Sequence, residues 1–368
     1  MTEWQSRITD ILDGHVHMGD IEQEQETLDV AEATGIARMG LVAIQDPSSG
    51  SGVPEALYMK WRYPDRFYVF AGLNHATRLS EGKVQTRGLA EQAGDLAAIG
   101  CDGMKMIEGK PTSRQRMDVP VTDPYFADYW ARVEELGMTI VWHVNDPEEF
   151  WDPALTPKWA AERNWGYGPE DVKKETLYAE VDEVLAKHPN LKITFAHFYF
   201  LSADLPRAAR FLEAHPGTHL DLAPGIEMLY NISRNSAAGR EFFLKYADRI
   251  TFGTDLFSSL SREQAIARAG ITFRWLESED EFRVPEFADF LLGAPEDGVI
   301  RGMSLPDDVL TRIYGSNLMR LAGATPKPLK VPAAAAYCDD LARIAAELSG
   351  KATEETQAAK VARALTSL

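Results

Sequence analysis

Short runs of consecutive apolar residues alternate with longer stretches in which apolar positions recur every three or four residues, and the alternation repeats along most of the chain. The apolar runs fall at 11–19, 40–44, 67–73, 103–107, 138–144, 191–197, 218–223 and 249–255. Continuous runs of this length read as strands buried on both faces, as in a parallel sheet. The stretches between them, at 24–38, 55–63, 88–99, 123–136, 174–188, 204–214, 237–247 and 306–321, read as amphipathic helices. The stops are chemical: Gly35 or Gly40 after the first helix, Gly100 after the third, Gly137 after the fourth. Asp123-Pro124 opens the fourth, with aspartate as cap and proline in the first turn. Strand–helix alternation repeated eight times predicts an α/β fold, a parallel sheet closed into a (β/α)8 TIM barrel. The rival, a doubly wound open sheet, would bring a glycine-rich phosphate loop after the first strand, and none is present.

Three segments break the rhythm. The stretch 145–170 after strand five holds three of the eight tryptophans, Trp151, Trp159 and Trp165, with Phe150, Tyr167 and several prolines. A loop of this length is functional or disordered, and its aromatic content argues for order. It reads as a lid over a pocket or as the face of a homodimer. A second insertion, of mixed character, follows strand eight up to about residue 303. The tail from Pro332 is rich in alanine and predicts one or two surface helices. The expected organisation is a catalytic barrel over 1–330 and a helical extension over 331–368 packed on it.

Composition narrows the class. The chain has 368 residues, 45% of them hydrophobic and 26% charged, as in an ordinary globular protein. A formal net charge of −18 excludes a general phosphate-seeking surface, so no nucleic-acid partner is expected. No apolar run is long enough to span a bilayer, so no membrane partner is expected either. The opening Met1-Thr2-Glu3-Trp4 has no basic segment leading into an apolar one, as a secretory leader would. The two cysteines, Cys101 and Cys338, suit a reducing compartment, and a cytoplasmic enzyme is the expectation.

The candidate chemistry gathers at strand ends. His15 and His17 stand two apart on the first strand and would present two imidazoles side by side, the beginning of a divalent-metal site. His143 ends strand five, His197 ends strand six and Asp255 ends strand eight. The C-terminal ends of the strands carry the active face of a barrel. His75 follows strand three, Lys105 lies on strand four, Trp151 lies in the aromatic segment and Glu227 follows strand seven. These four are the candidate substrate contacts, and Glu108 and Lys110 also stand near the mouth. His188 and His215 precede prolines at the far end of the barrel and His219 begins a strand, so these three read as structural.

The set Asp13-Gly14-His15-Val16-His17, His143, Phe195-Ala196-His197, Gly253-Thr254-Asp255 and Gly315-Ser316-Asn317-Leu318-Met319-Arg320-Leu321 resembles the amidohydrolase superfamily. Within it the likeness is to the amidohydrolase-2 group, which includes relatives of aminocarboxymuconate-semialdehyde decarboxylase, and it covers roughly residues 10–322. The resemblance implies that His15, His17, His143 and Asp255 hold one divalent transition metal, zinc first, with manganese or iron as alternatives. It implies catalytic roles for Asp255 and His197. Some superfamily members carboxylate a strand-four lysine to bridge two metals; an unmodified Lys105, paired with an acid or a substrate carboxylate, is the expectation here. The implied activity is that of a metal-dependent hydrolase, a metal-activated water attacking the ester, lactone or amide carbonyl of a small carboxylated or aromatic molecule. The alternative is a non-oxidative metal-dependent decarboxylase, a lyase acting on an aromatic or related acid. A barrel kept only for binding would be expected to have lost a ligand, and the set is complete.

Overall fold

The computed structural model describes residues 4–225, 227–257 and 259–367. Residues 1–3, most of the segment read for a secretory leader, lie outside them. Eight strands, β1 (Ile11–Val16), β2 (Ile36–Ala43), β3 (Phe67–Gly72), β4 (Gly103–Gly109), β5 (Thr139–Val144), β6 (Lys192–Phe195), β7 (Thr218–Asp221) and β8 (Ile250–Thr251), pair in sequence order. Every pairing between neighbours is parallel. The last strand returns to the first: Gly14 N–H donates to Phe252 O (2.9 Å), Asp255 N–H to His15 O (2.8 Å) and His17 N–H to Leu256 O (2.7 Å). The fold is the (β/α)8 barrel that the alternation predicts.

Register fills the barrel. Val42 lies beside Phe70 and Lys105 beside Val141, so these side chains share the inner face. Leu12, Val42, Phe70 and Val141 form an apolar cluster with Leu318 and Ala322 of the closing helical segment Asn317–Ala322. Gly14 allows that helix to close in, since a Cβ there would stand 2.6 Å from the Leu318 side chain. The main core lies outside the strands, between their outer faces and the helices.

Most boundaries follow local chemistry. Gly35, at φ 72°, stops the helix Glu24–Thr34, so β2 begins at Ile36, four residues earlier than expected. Gly100 and Gly137 close their helices in the left-handed conformation, and the Asp123 side chain caps Pro124–Leu136 by accepting from Tyr125 N–H. β4 runs on to Gly109 and takes in Glu108. β6 and β8 stop short, which leaves His197 and Asp255 on turns beyond the strands.

The second insertion folds into the helix Arg262–Glu277 and a small antiparallel pair, Glu281–Phe282 with Ile300–Arg301. The tail forms two helices, Val331–Ser349 and Gln357–Thr366. Ala334, Ala335, Cys338, Val361 and Ala362 join the main core, and such small side chains let the pair lie close against the barrel helix Val53–Arg62. Among the described residues no helix is long and apolar enough to cross a membrane.

Candidate active site

The Asp13 carboxylate ties β1 to the loop after β8. Its Oδ1 accepts from His15 N–H (3.0 Å) and Thr254 N–H (3.1 Å), and Oδ2 accepts from the Thr254 hydroxyl. Gly253 permits the approach, because a Cβ there would stand 2.8 Å from His15 Cβ. His15 is buried and its Nδ1 lies 2.6 Å from Asp221 Oδ2 at the end of β7. An ionised carboxylate only accepts, so Nδ1 carries the proton and Nε2 keeps its lone pair. That Nε2 stands 3.7 Å from Asp255 Oδ1, and His17 Nε2 stands 3.3 Å from the same oxygen. One ligand atom from each of His15, His17 and Asp255 falls within 4.8 Å of the others. Burial, reinforced by the nearby Lys105 charge, holds the His15 imidazole well below its ordinary pKa and therefore in its metal-binding form. Two imidazoles, one carboxylate and a carboxylate-fixed tautomer fit a divalent transition metal.

His143 stands apart from this trio. Its Nε2 meets Asn145 O (3.0 Å) and Asp146 Oδ1 (3.3 Å), which turns it toward the loop after β5. Asp146 is itself fixed by Lys110 Nζ, 2.6 Å from both oxygens, and by the Tyr167 hydroxyl at 2.5 Å. His15, His17 and Asp255 are thus the members of the implied ligand set whose donor atoms already converge; with Nε2 committed to the Asn145 carbonyl, the lone pair of His143 lies on Nδ1. His143 does border the site, its ring edge-on to His197 with centroids 4.8 Å apart.

His197 departs from the expected strand. Residues 197–200 all have φ between 51° and 57°, a left-handed turn made without glycine. The turn is held by burial and by the Tyr178 hydroxyl, which donates to Tyr199 O (3.0 Å). It brings His197 N–H onto Asp221 Oδ1 (2.7 Å) and His197 Nδ1 to Ala223 O (3.1 Å). A carbonyl only accepts, so Nδ1 is protonated and Nε2 holds a lone pair. Burial lowers the His197 pKa to about 4. Lys105 Nζ lies 3.3 Å from His15 Nε2. Burial lowers its pKa to about 8, against the pull of Asp221, Asp255 and Glu108.

These groups open on a cavity of about 190 Å³. Ile44, Ile107, Phe200 and Leu291 give it apolar walls, and Phe150, Trp159 and Trp165 of the aromatic segment line it as well. The profile of the amidohydrolase family matches residues 62–321. The chain belongs to the amidohydrolase family. The matched span begins after β1, so His15 and His17 lie outside it. No curated protein sequence matches the chain. Among solved structures, an uncharacterized TIM-barrel protein from Bordetella bronchiseptica is similar, with TM-score 0.52 and 16% identity, over 84% of this chain and 97% of that one. A 2,6-dihydroxybenzoate decarboxylase from Rhizobium is similar at 0.51 and 15%, over 86% and 99%. A 4-oxalomesaconate hydratase from Rhodopseudomonas palustris is similar at 0.50 and 11%, over 85% and 95%. Likeness at such identities speaks for the barrel and leaves the reaction to the site.

In this amidohydrolase two of the four expected substrate contacts do not line that cavity. His75 spends both ring nitrogens on protein, Nδ1 on the Tyr125 hydroxyl (2.9 Å) and Nε2 on Glu108 Oε1 (2.7 Å). It borders a neighbouring cavity of about 120 Å³, which shares Lys105 with the first. Trp151 donates to Val172 O (3.2 Å) and leans on Tyr167, and the other two tryptophans of the segment reach the cavity in its place. Lys105 and Glu227 do line it.

Asp221 and Arg268 were not singled out in the sequence, and Asp13 stood there only as part of the strand-one motif, without a role. An acid inside the apolar run 218–223 is the signal that could have found Asp221. Asp221 orients His15 and His197 together, so Asp221→Asn will weaken metal binding by about 10–100-fold and lower kcat/KM to match. A competitive chelator titration beside steady-state kinetics measures both.

Proposed function

We propose that this amidohydrolase is a metal-dependent hydrolase acting on an ester, lactone or amide of a small carboxylated or aromatic molecule. The observation that carries the reading is the tautomer of His197. With Nδ1–H committed to the Ala223 carbonyl, the nitrogen left to the cavity is a proton acceptor. Hydrolysis needs an acceptor for the proton of the attacking water, whereas decarboxylation needs a donor to the carbon that loses CO2. A divalent cation on His15, His17 and Asp255, zinc before manganese or iron, would polarise the acyl oxygen and acidify a water. His197 Nε2 is the group that would accept a proton from the attacking water and return it to the leaving group. Lys105 sets a buried positive charge beside the same imidazoles, where a substrate carboxylate or acyl oxygen finds a partner. Trp159 and Trp165 supply an apolar wall against which a ring can rest, and they help exclude water. The two buried free cysteines suit a cytoplasmic setting.

The test is a panel of aryl esters, lactones, anilides and hydroxybenzoates offered to the zinc-loaded chain, with acid release and CO2 followed in parallel. Acid release without CO2, lost in His197→Ala, is the expected result. CO2 from a hydroxybenzoate would put the decarboxylase reading in its place.

A further inference from the structure

Three carboxyl groups line the cavity, and two of them are engaged. Asp255 faces the imidazoles, and Asp146 is held by Lys110 and Tyr167. The third, Glu227, is not. Its residue is 7% exposed, both carboxyl oxygens are buried, and neither finds a hydrogen-bond partner in another of the described residues. Its own amide steadies it. The acids Glu149 and Asp146 lie nearby, and so does Lys174, whose ammonium is taken by Asp146 O (3.1 Å) and Glu148 (3.2 Å). Burial raises the Glu227 pKa to about 7. A polar group stranded in this way weakens a fold, and it persists where the group is used. The backbone makes room for that use. Gly225 also lines the cavity, and a Cβ there would stand 3.1 Å from Glu227 Oε2, so the glycine leaves space beside the carboxyl.

We propose that Glu227 is a specificity-determining residue that receives a hydrogen-bond-donating substituent, a hydroxyl or an amine, on a part of the substrate other than the reacting acyl group. The proposal rests on the hydrolase reading for its acyl end and adds the second polar requirement. Lys105 and the imidazoles present cationic and metal-binding chemistry to an acid or acyl oxygen, and Glu227 presents an acceptor to a donor. The substrate class is then an aromatic acid derivative bearing a free hydroxyl or amino group, with its ring against the wall that the tryptophans line.

The experiment uses matched probes on the zinc-loaded full chain: 3- and 4-hydroxybenzoate against 3- and 4-methoxybenzoate, with binding measured by calorimetry. In the wild type at least one hydroxy acid binds about tenfold tighter than its methyl ether. In Glu227→Met that ratio falls to about one, and Glu227→Gln, which keeps an acceptor oxygen, retains part of it. An unchanged ratio in Glu227→Met overturns the proposal. If no acid binds the wild type, the aromatic-acid reading fails, and a ligand-free measurement decides the role of Glu227 by itself. A group kept for ligand destabilises the empty fold, so Glu227→Met and Glu227→Gln each raise Tm by about 2 °C. A fall in Tm in both variants, or their failure to fold, assigns Glu227 a structural role and overturns the proposal.

Discussion

His15→Ala is expected to strip the protein of its metal and to lower kcat/KM by about 10³-fold or more. The magnitude follows from removing a cation whose charge stabilisation is worth several kcal/mol, at about 1.4 kcal/mol per decade. His15 is the most constrained of the three convergent donors. It is 1% exposed, its backbone is pinned by Asp13, and its Nδ1 is held by Asp221. Deleting the ring leaves His17 and Asp255, two ligands on two chain segments, which cannot hold a labile divalent ion against chelator. The variant should fold, because Asp221 keeps His197 N–H (2.7 Å) and Ala223 N–H (3.1 Å) as donors. Elemental analysis of protein purified without added metal checks the claim directly. About one transition metal per chain in the wild type and almost none in the variant is the expected outcome. Two per chain would bring forward a carboxylated Lys105, and none even after addition would defeat the metal mechanism.

The sequence carries the barrel well because a parallel sheet buried on both faces leaves unbroken apolar runs, and because glycine stops are local events. Gly35, Gly100 and Gly137 do in the fold what their lack of a Cβ allows. His15 and His17 were legible for the same reason, since strand geometry alone sets two imidazoles side by side. His197 was half legible. Its place at the end of β6 is in the apolar pattern, yet the left-handed turn across Phe198, Tyr199 and Phe200 has no local signal, for aromatic residues do not favour that conformation. Tertiary packing imposes it: Phe198 stacks on Phe243, and Tyr199 fits between Tyr178 and Phe211. His143 was legible in its place and not in its direction. Its position is where the pattern puts it, but the direction of its Nε2 depends on Asp146, and Asp146 depends on Lys110 from another loop. Side-chain direction set by a three-segment hydrogen-bond network is not written in any one segment. The aromatic stretch behaves similarly: composition marks it as ordered and near the pocket, while only the fold decides that Trp159 and Trp165 face the cavity and Trp151 faces Tyr167.

Arg268→Met is expected to destabilise the protein by about 3–5 kcal/mol, the largest effect on stability of any single change argued for this chain. Arg268 lies in the helix Arg262–Glu277, where its neighbours make it look like one more polar position on an amphipathic surface. It is instead 0% exposed. Its Nε donates to Thr254 O (2.6 Å), one terminal nitrogen donates to Asp289 Oδ1 (2.7 Å), and the other donates to Pro224 O (2.5 Å) and lies 3.6 Å from Asp255 Oδ2. One guanidinium thus joins the loop after β7, the loop after β8 and the second insertion, and it backs the carboxylate that faces His15 and His17. Methionine keeps much of the volume but leaves two backbone carbonyls without donors and Asp289, 2% exposed, as a buried charge without its cation. Arg268→Lys should rescue little, since one ammonium cannot span three directions that the planar fork spans at once. Arg268→Met combined with Asp289→Leu should recover part of the loss, because removing both charges avoids the uncompensated one. Urea unfolding of the three variants measures the energies, and metal affinity measured beside it separates the two roles. Loss of stability with metal affinity intact would make Arg268 a strut of the insertion alone, whereas a parallel fall in affinity would show that the same fork holds Asp255 in place for the metal.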